Sequence, residues 1–373
     1  MASEQFFPGL EGVIAGETAV STITGGLSYR GYSIDDLSAG ATFPEVAYLL
    51  LHGDLPNEEL LADFKAILDE SAEVDPSIFE FLKGIPLHVS AMDVLRTGIS
   101  AVSHFDPQLD ENTTVANLGK AIRLLAQIPL LIAARHRFRQ GEPLVEADHS
   151  LSFAGNLLYL ITGSRPSPLQ ERAMDVSLIL YAEHEFNAST FTARVVTSTM
   201  ADLYSAIVAA VGALKGPLHG GANERVLEVL EEVGSPGQAE TWVRKALAEK
   251  RRIMGFGHRV YKDGDPRAVL LNDYCKRLAA ETGDDSLEQI ADTIERVVRE
   301  EKGLPPNLDW PSARLYHYLG LEVDLYTPLF VASRVAGWSA HVIEQSENNR
   351  LIRPRSRYIG PAPREFLPLH DRG

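Results

Sequence analysis

The sequence predicts an all-α protein: a large helical domain with a smaller helical domain inserted into it. Three observations carry this. Beyond about residue 40, apolar residues recur with the helical period over most of the chain. Several runs, residues 128–134 and 207–214 among them, are apolar on more than one face, as helices buried on all sides must be. There is no strand–helix alternation, no glycine-rich phosphate loop after a strand and no short-period repeat, which argues against a Rossmann or P-loop fold.

The elements follow in order. Residues 12–25 are rich in Val, Ile and Thr and are expected to form a short hairpin. Thr42-Phe43-Pro44-Glu45 reads as an N-cap with proline in the first turn, and Gly53 as the stop. Asn57 is placed to cap a helix over 58–70, with Leu60, Leu61, Phe64, Ile67 and Leu68 on one face. Further helices are expected over 91–104, 114–140, 151–162, 171–185, 190–214, 238–252, 284–302 and 326–345. From about residue 222 to 302 the helices become more charged and amphipathic. An inserted, surface-rich domain gives that pattern, with the division at 1–218, 219–315 and 316–373. A solvated outer layer of one domain would give it too.

Composition narrows the function. The chain has 373 residues, 45% apolar and 23% charged, ordinary for a globular enzyme. A net charge of −16 excludes a uniform basic face for nucleic acid, so an anionic ligand needs a local arginine cluster. The single cysteine, Cys275, rules out an intrachain disulfide and a thiolate metal cage, and reads as a core residue. The N-terminus lacks the basic and apolar regions of a signal peptide, and no apolar stretch approaches the ~20 residues that span a bilayer. A cytoplasmic protein without membrane contact is expected.

Five segments break the helical pattern with unusual polar content. They are His184-Glu185-Phe186-Asn187-Ala188-Ser189-Thr190, the loop Lys215–Asn223 around His219, residues 255–267 around His258, Asn307-Leu308-Asp309-Trp310-Pro311, and the cations Arg334 and Arg353-Pro354-Arg355-Ser356-Arg357. Each has an ordinary reading: a capping His-Glu pair, a plain glycine turn, an N-cap aspartate, a solvated basic tail. Ala188 stands where a zinc-protease helix needs its second histidine, so no metal is expected. Taken together, three histidines, an aspartate and several arginines sit in glycine- or proline-marked breaks, where binding and catalytic groups concentrate. Neutral imidazoles can polarise a carbonyl, a carboxylate beside Trp310 can have a raised pKa and act as a base, and arginines bind carboxylates in bidentate fashion. This inventory suits carbon–carbon chemistry on a carbonyl substrate with several carboxylates.

These same segments resemble the citrate synthase family. The matching stretches are His184–Arg194, Gly216–Asn223, Gly255–Lys262 with Asp265-Pro266-Arg267, Asn307-Leu308-Asp309, Arg353–Ser356 and Tyr29–Ile34, all in the family's order. The resemblance spans about residue 10 to 365. It implies an all-α homodimer of two-domain subunits that condenses acetyl-CoA with oxaloacetate and hydrolyses the thioester. In that pattern Asp309 matches the base, His219 the group that stabilises the enol, and His258 the group that polarises the ketone. His184, Arg267 and Arg334 match oxaloacetate ligands, and Arg353 matches an arginine reaching in from the partner subunit. Ile253, Met254, Gly255, Phe256 and Gly257 match the loop that meets the adenine of CoA, and Lys262 a cation for its phosphate. No cofactor is implied, since the CoA thioester is a substrate. The chain lacks the N-terminal extension of the hexameric, NADH-inhibited bacterial enzymes, so neither property is expected. Phe186 also occurs in 2-methylcitrate synthases, which use propionyl-CoA and form the alternative; a non-catalytic metabolite-binding helical protein is a remote one.

Overall fold

Helices carry most of the chain. The computed structural model describes residues 6–258, 261 and 264–372, and within these the helices are α1 (Ile34–Gly40), α2 (Phe43–His52), α3 (Glu58–Ser71), α4 (Pro76–Lys83), α5 (Ala91–Val102), α6 (Thr114–Gln140), α7 (Phe153–Thr162), α8 (Pro168–Tyr181), α9 (Ala188–Thr197), α10 (Leu203–Leu214), α11 (Ala222–Val233), α12 (Pro236–Ala248), α13 (Pro266–Thr282), α14 (Ser286–Lys302), α15 (Asp309–Tyr318) and α16 (Tyr326–Glu347).

Local chemistry sets most ends. Thr42 and Glu45 form a reciprocal capping box on α2, and Gly53 closes it in the left-handed conformation at φ +93°. The Asn57 side chain accepts from the Leu60 N–H at the start of α3. On that helix only Phe64 and Leu68 are buried; Leu60 and Ile67, expected on the same apolar face, are exposed on the single chain.

Four other expectations are corrected. The hairpin lies later than residues 12–25: β1 (Ser21–Thr22) pairs antiparallel with β2 (Ser28–Tyr29), which pairs with β3 (Tyr32–Ser33). Gly25 and Gly26, both at positive φ, make the turn. Residues 190–214 are two helices, because the Asp202 side chain accepts from Ser205 N–H and caps α10 afresh. Helix α8 starts at Pro168 under a Ser167–Gln170 capping box and stops at Tyr181, so Ala182–Asn187 is free to form the loop that carries His184. Finally, α6 is long and apolar enough to cross a membrane by length and composition. It is instead the central core helix, packed by α16, α5, α7 and α3, with Lys120 and Arg135 buried along it.

Helix α16 is the axis of the larger group. Of its residues Tyr326–Ile343 every one is buried, and it packs on α6, α9, α10, α2 and α8. Helices α11–α15 pack mainly among themselves, α15 against α13 and α11, and α12 against α14. They reach the other group where α13 meets α8 and α1, and where α11 meets α16. Cys275 is fully buried in α13 and its thiol donates to Pro311 O at 3.1 Å, the core role expected of it.

Candidate active site

The His184 loop is held from below. Tyr29 reaches up from β2, and its hydroxyl donates to Glu183 O at 3.0 Å and accepts from Glu183 N–H at 3.3 Å. Ser21 Oγ accepts the Glu185 N–H at 3.0 Å. Glu185 sits at φ +52°, a left-handed conformation that an L residue adopts only when its surroundings impose it. His184 is buried; its Nε2 lies 3.1 Å from Tyr261 Oη, and its ring is edge-on to that of His258, 5.3 Å away. Burial pushes its pKa well below the ordinary value, helped by Arg267, Arg334 and His258.

His219 occupies the turn between α10 and α11. Gly220 directly after it must be glycine: a Cβ there would lie 2.6 Å from the Leu214 side chain and 2.7 Å from Leu214 O. The Ser189 N–H points at His219 Nε2 (3.3 Å), and Ser189 Oγ is 2.8 Å away. A backbone N–H can only donate, so Nε2 is the acceptor and the ring hydrogen is on Nδ1. Trp338 of α16 fixes Ser189 in turn, donating to its Oγ at 3.1 Å. Burial, with Arg334 adding, lowers His219 to a pKa of about 4. The ring is therefore a neutral donor over the whole physiological range.

Asp309 and His258 are tied to each other by backbone. Gly257 N–H donates to Pro305 O (2.8 Å) and Asn307 N–H to Gly255 O (2.9 Å), a short ladder between the two segments. The Asn307 amide closes it, donating to Gly257 O at 2.9 Å and accepting the Asp309 N–H at 3.0 Å. Asp309 is thus not the N-cap that a lone Asp before Trp-Pro suggests; Asn307 does that work, and the carboxyl is left to the site. Its Oδ1 accepts from Tyr181 Oη at 3.2 Å, and it retains part of its surface. Desolvation raises its pKa to about 6 against the opposing pull of Arg267 and Tyr181. Tyr181 stacks tilted on Phe330 (4.4 Å), which is edge-on to His219 (6.2 Å), so one aromatic pair bridges the carboxyl to the imidazole. His258 accepts the Tyr261 N–H at Nδ1 (3.2 Å), which places its ring hydrogen on Nε2.

The loop before His258 is shaped by packing. Gly255 lies at φ +88°, and a Cβ there would come 2.8 Å from Trp310 and 3.0 Å from Val226. Ile253 is buried, Met254 and Phe256 partly so, and Phe256 packs on Trp310 at 4.6 Å.

Two arginines are buried at the same place. Arg267 makes a bidentate pair with Asp265 (2.9 and 2.8 Å), which holds it firmly protonated. Arg334 donates from Nε to Tyr181 O at 2.6 Å and lies over the Phe330 ring at 4.6 Å. Its Nη1 is buried with no hydrogen-bond partner, and burial lowers its pKa to about 10. A buried guanidinium nitrogen without an acceptor is poised for an anion. Arg353 is exposed on the single chain and joins none of these contacts among the described residues. Lys262 lies outside the described residues.

Sequence reasoning missed Tyr181, Ser189, Asp265 and Trp338. Ser189 and Asp265 stood inside flagged segments, but what they touch is not written in the segment. Tyr181 and Trp338 belong to continuous helices, and nothing local marks them.

An all-helical scaffold that gathers three imidazoles, a carboxyl held near neutrality and two buried guanidiniums defines an enzyme acting on a carboxylate-bearing substrate through proton transfers. A model of the citrate synthase C-terminal domain matches residues 9–355. The chain is 49% identical to citrate synthase 2 of Bacillus subtilis over 366 residues, 98% of each chain. It is 43% identical to a 2-methylcitrate synthase of Shewanella oneidensis, over 98% of this chain and 97% of that one. The citrate synthase of Thermoplasma acidophilum, solved as a ternary complex with carboxymethyl coenzyme A and oxaloacetate, superposes with a TM-score of 0.93 at 33% identity, covering 99% and 100% of the two chains. This chain belongs to the citrate synthase family.

Proposed function

We propose that the protein is a citrate synthase, condensing acetyl-CoA with oxaloacetate and water to give citrate and CoA. The observation that carries this is the pairing of Asp309, with a carboxyl raised to about 6, with His219, a neutral imidazole bearing its hydrogen on Nδ1. Above pH 6 Asp309 is mostly ionised, yet more basic than a solvated aspartate. It takes a proton from the acetyl methyl while His219 Nδ1–H donates to the thioester oxygen. A preorganised donor supplies that stabilisation without reorganising during the step. The enol carbon then attacks the oxaloacetate ketone, whose oxygen is polarised and finally protonated by His258. Water hydrolyses the citryl thioester. Arg267, Arg334 and His184 hold the oxaloacetate carboxylates, and Arg353 completes the site from a partner subunit in a homodimer. The loop Ile253–Gly257 and Lys262 receive CoA. Residues 219–315, which carry α11–α14 and the start of α15, act as the closing domain, with the break at Gly216-Pro217 as a hinge. Closure keeps the enol from water.

A second reading is 2-methylcitrate synthase, supported by Phe186 and by the 43% identity to the Shewanella enzyme. One methylene changes transition-state binding by ~1–3 kcal/mol. The test is kcat/KM for acetyl-CoA against propionyl-CoA with oxaloacetate, followed by thiol release. Preference for acetyl-CoA is expected; preference for propionyl-CoA assigns the second reading.

A further inference from the structure

Glu183 is a carboxylate of the site that the reaction leaves unused and, unlike Asp265, it is not paired with an arginine in a bidentate contact among the described residues; it is completely buried. Oε1 accepts from Ser21 Oγ and from His341 Nε2, both at 2.9 Å. Oε2 has no hydrogen-bond partner and lies against Gly337, where a Cβ would come within 2.2 Å of it. Arg194 backs this arrangement, its Nη1 lying 3.0 Å from His341 Nδ1 and 2.6 Å from Glu344 Oε2. Arginine can only donate, so the His341 hydrogen is on Nε2, aimed at Glu183. Arg334, Gly337 and His341 share one face of α16, three and four residues apart, so the helix that presents Arg334 also presents the cradle of Glu183. The Tyr29 hydroxyl anchors the Glu183 backbone, donating to its carbonyl at 3.0 Å.

We propose that Glu183 is a positioning residue that acts through Arg334, its fixed negative charge tempering the arginine pair that binds oxaloacetate. The proposal rests on the reading of Arg267 and Arg334 as oxaloacetate ligands. Holding Ser21 and His341 does not need an ionised acid, because a glutamine oxygen would accept both hydrogens. What only the carboxylate adds is charge. Burial pushes the Glu183 pKa up, but His341, Arg334 and Ser21 outweigh it and hold the carboxyl ionised. Among the influences on Arg334, Glu183 is the largest that favours its charged form. In the empty site the guanidinium is thus partly neutralised before any ligand arrives. A dicarboxylate gains less than it would from two uncompensated cations, and the site can let go of a polyanion once per turnover.

The test is Glu183→Gln, with Glu183→Asp as the charge-retaining control. Oxaloacetate binding is measured by calorimetry, alongside KM and kcat for condensation and thermal midpoints with and without oxaloacetate. Charge tempering predicts that E183Q binds oxaloacetate about fivefold more tightly or better, the order of magnitude expected when one unit charge is removed from a partly screened interior. KM for oxaloacetate falls with it. The ligand-free midpoint drops and the oxaloacetate-induced rise grows, while E183D keeps wild-type affinity. A purely structural role instead weakens binding in both variants, and equal or weaker binding by E183Q overturns the proposal. Should E183Q not accumulate folded, refolding in millimolar oxaloacetate decides: recovery supports the proposal and failure to recover overturns it. If the wild-type protein binds no oxaloacetate, the proposed function itself fails, which sets that failure apart.

Discussion

Asp309→Asn separates the role of this carboxyl in chemistry from its effect on stability, and the two should move in opposite directions. The folded pKa is about 6 against an ordinary 3.8, because the carboxyl is desolvated at the start of α15. A carboxyl raised on folding is penalised in its ionised form. The penalty is absent below pH 4, grows between pH 4 and 6, and is complete above pH 6. Two pKa units correspond to about 3 kcal/mol at most, and the accessible part of the side chain brings this to about 1–3 kcal/mol. Asparagine carries no charge, and its oxygen can still accept from Tyr181 Oη. At pH 7.5 the variant should therefore melt about 1–4 °C higher, given about 2.1 cal/mol/K per residue over 373 residues. The gain should vanish at pH 4. Condensation should fall by about 10²–10⁴-fold or more, while oxaloacetate binding stays close to wild type. Calorimetric melts across pH at fixed protein concentration, paired with thiol-release assays, report both. A variant that melts lower at pH 7.5, or that turns over at the wild-type rate, would refute the reasoning.

Tyr181→Phe keeps the ring contact with Phe330 but removes the hydrogen bond to Asp309 Oδ1. That bond favours the ionised carboxyl, so the acidic limb of the kcat/KM profile, near pH 6 in the wild type, should move up by about one pH unit. An unmoved limb would show that Tyr181 does not tune the base. Gly255→Ala places a Cβ 2.8 Å from Trp310 at a backbone φ of +88°. It should cost about 1–3 kcal/mol in urea melts and raise KM for acetyl-CoA more than for oxaloacetate; an unchanged melt would refute the steric argument. Mixing an Arg353→Ala chain with an Asp309→Asn chain should restore activity in heterodimers, since one site of each pair then holds both native residues. Verified heterodimers without recovery would place Arg353 outside its partner's site.

Much of the architecture was legible because helices are local objects. Capping at Thr42 and Asn57 and the stop at Gly53 follow from side chains one turn away. The expected helix over residues 190–214 erred where one apolar run hid a second N-cap at Asp202. The length of α6 shows the same limit: composition cannot tell a membrane span from a core helix wrapped by α16, α5 and α7. The site was legible as segments, since glycine and proline breaks mark where a helical chain offers polar groups. Its electrostatics were not. That Asp309 is raised, that His219 carries its hydrogen on Nδ1, and that Glu183 lies against Gly337 of α16 all depend on residues more than a hundred positions apart, or on backbone donors.

By itself the sequence determined the residue types, their order and the helices between them. The tertiary structure alone decided the protonation states, because an ionisable group takes its pKa from what surrounds it, not from its neighbours in the chain. His219 shows this most plainly. The turn at Gly216-Pro217 places it at the mouth of α11; burial, with Arg334 adding, makes it neutral, and Ser189, braced by Trp338 from α16, leaves Nδ1 as its donor.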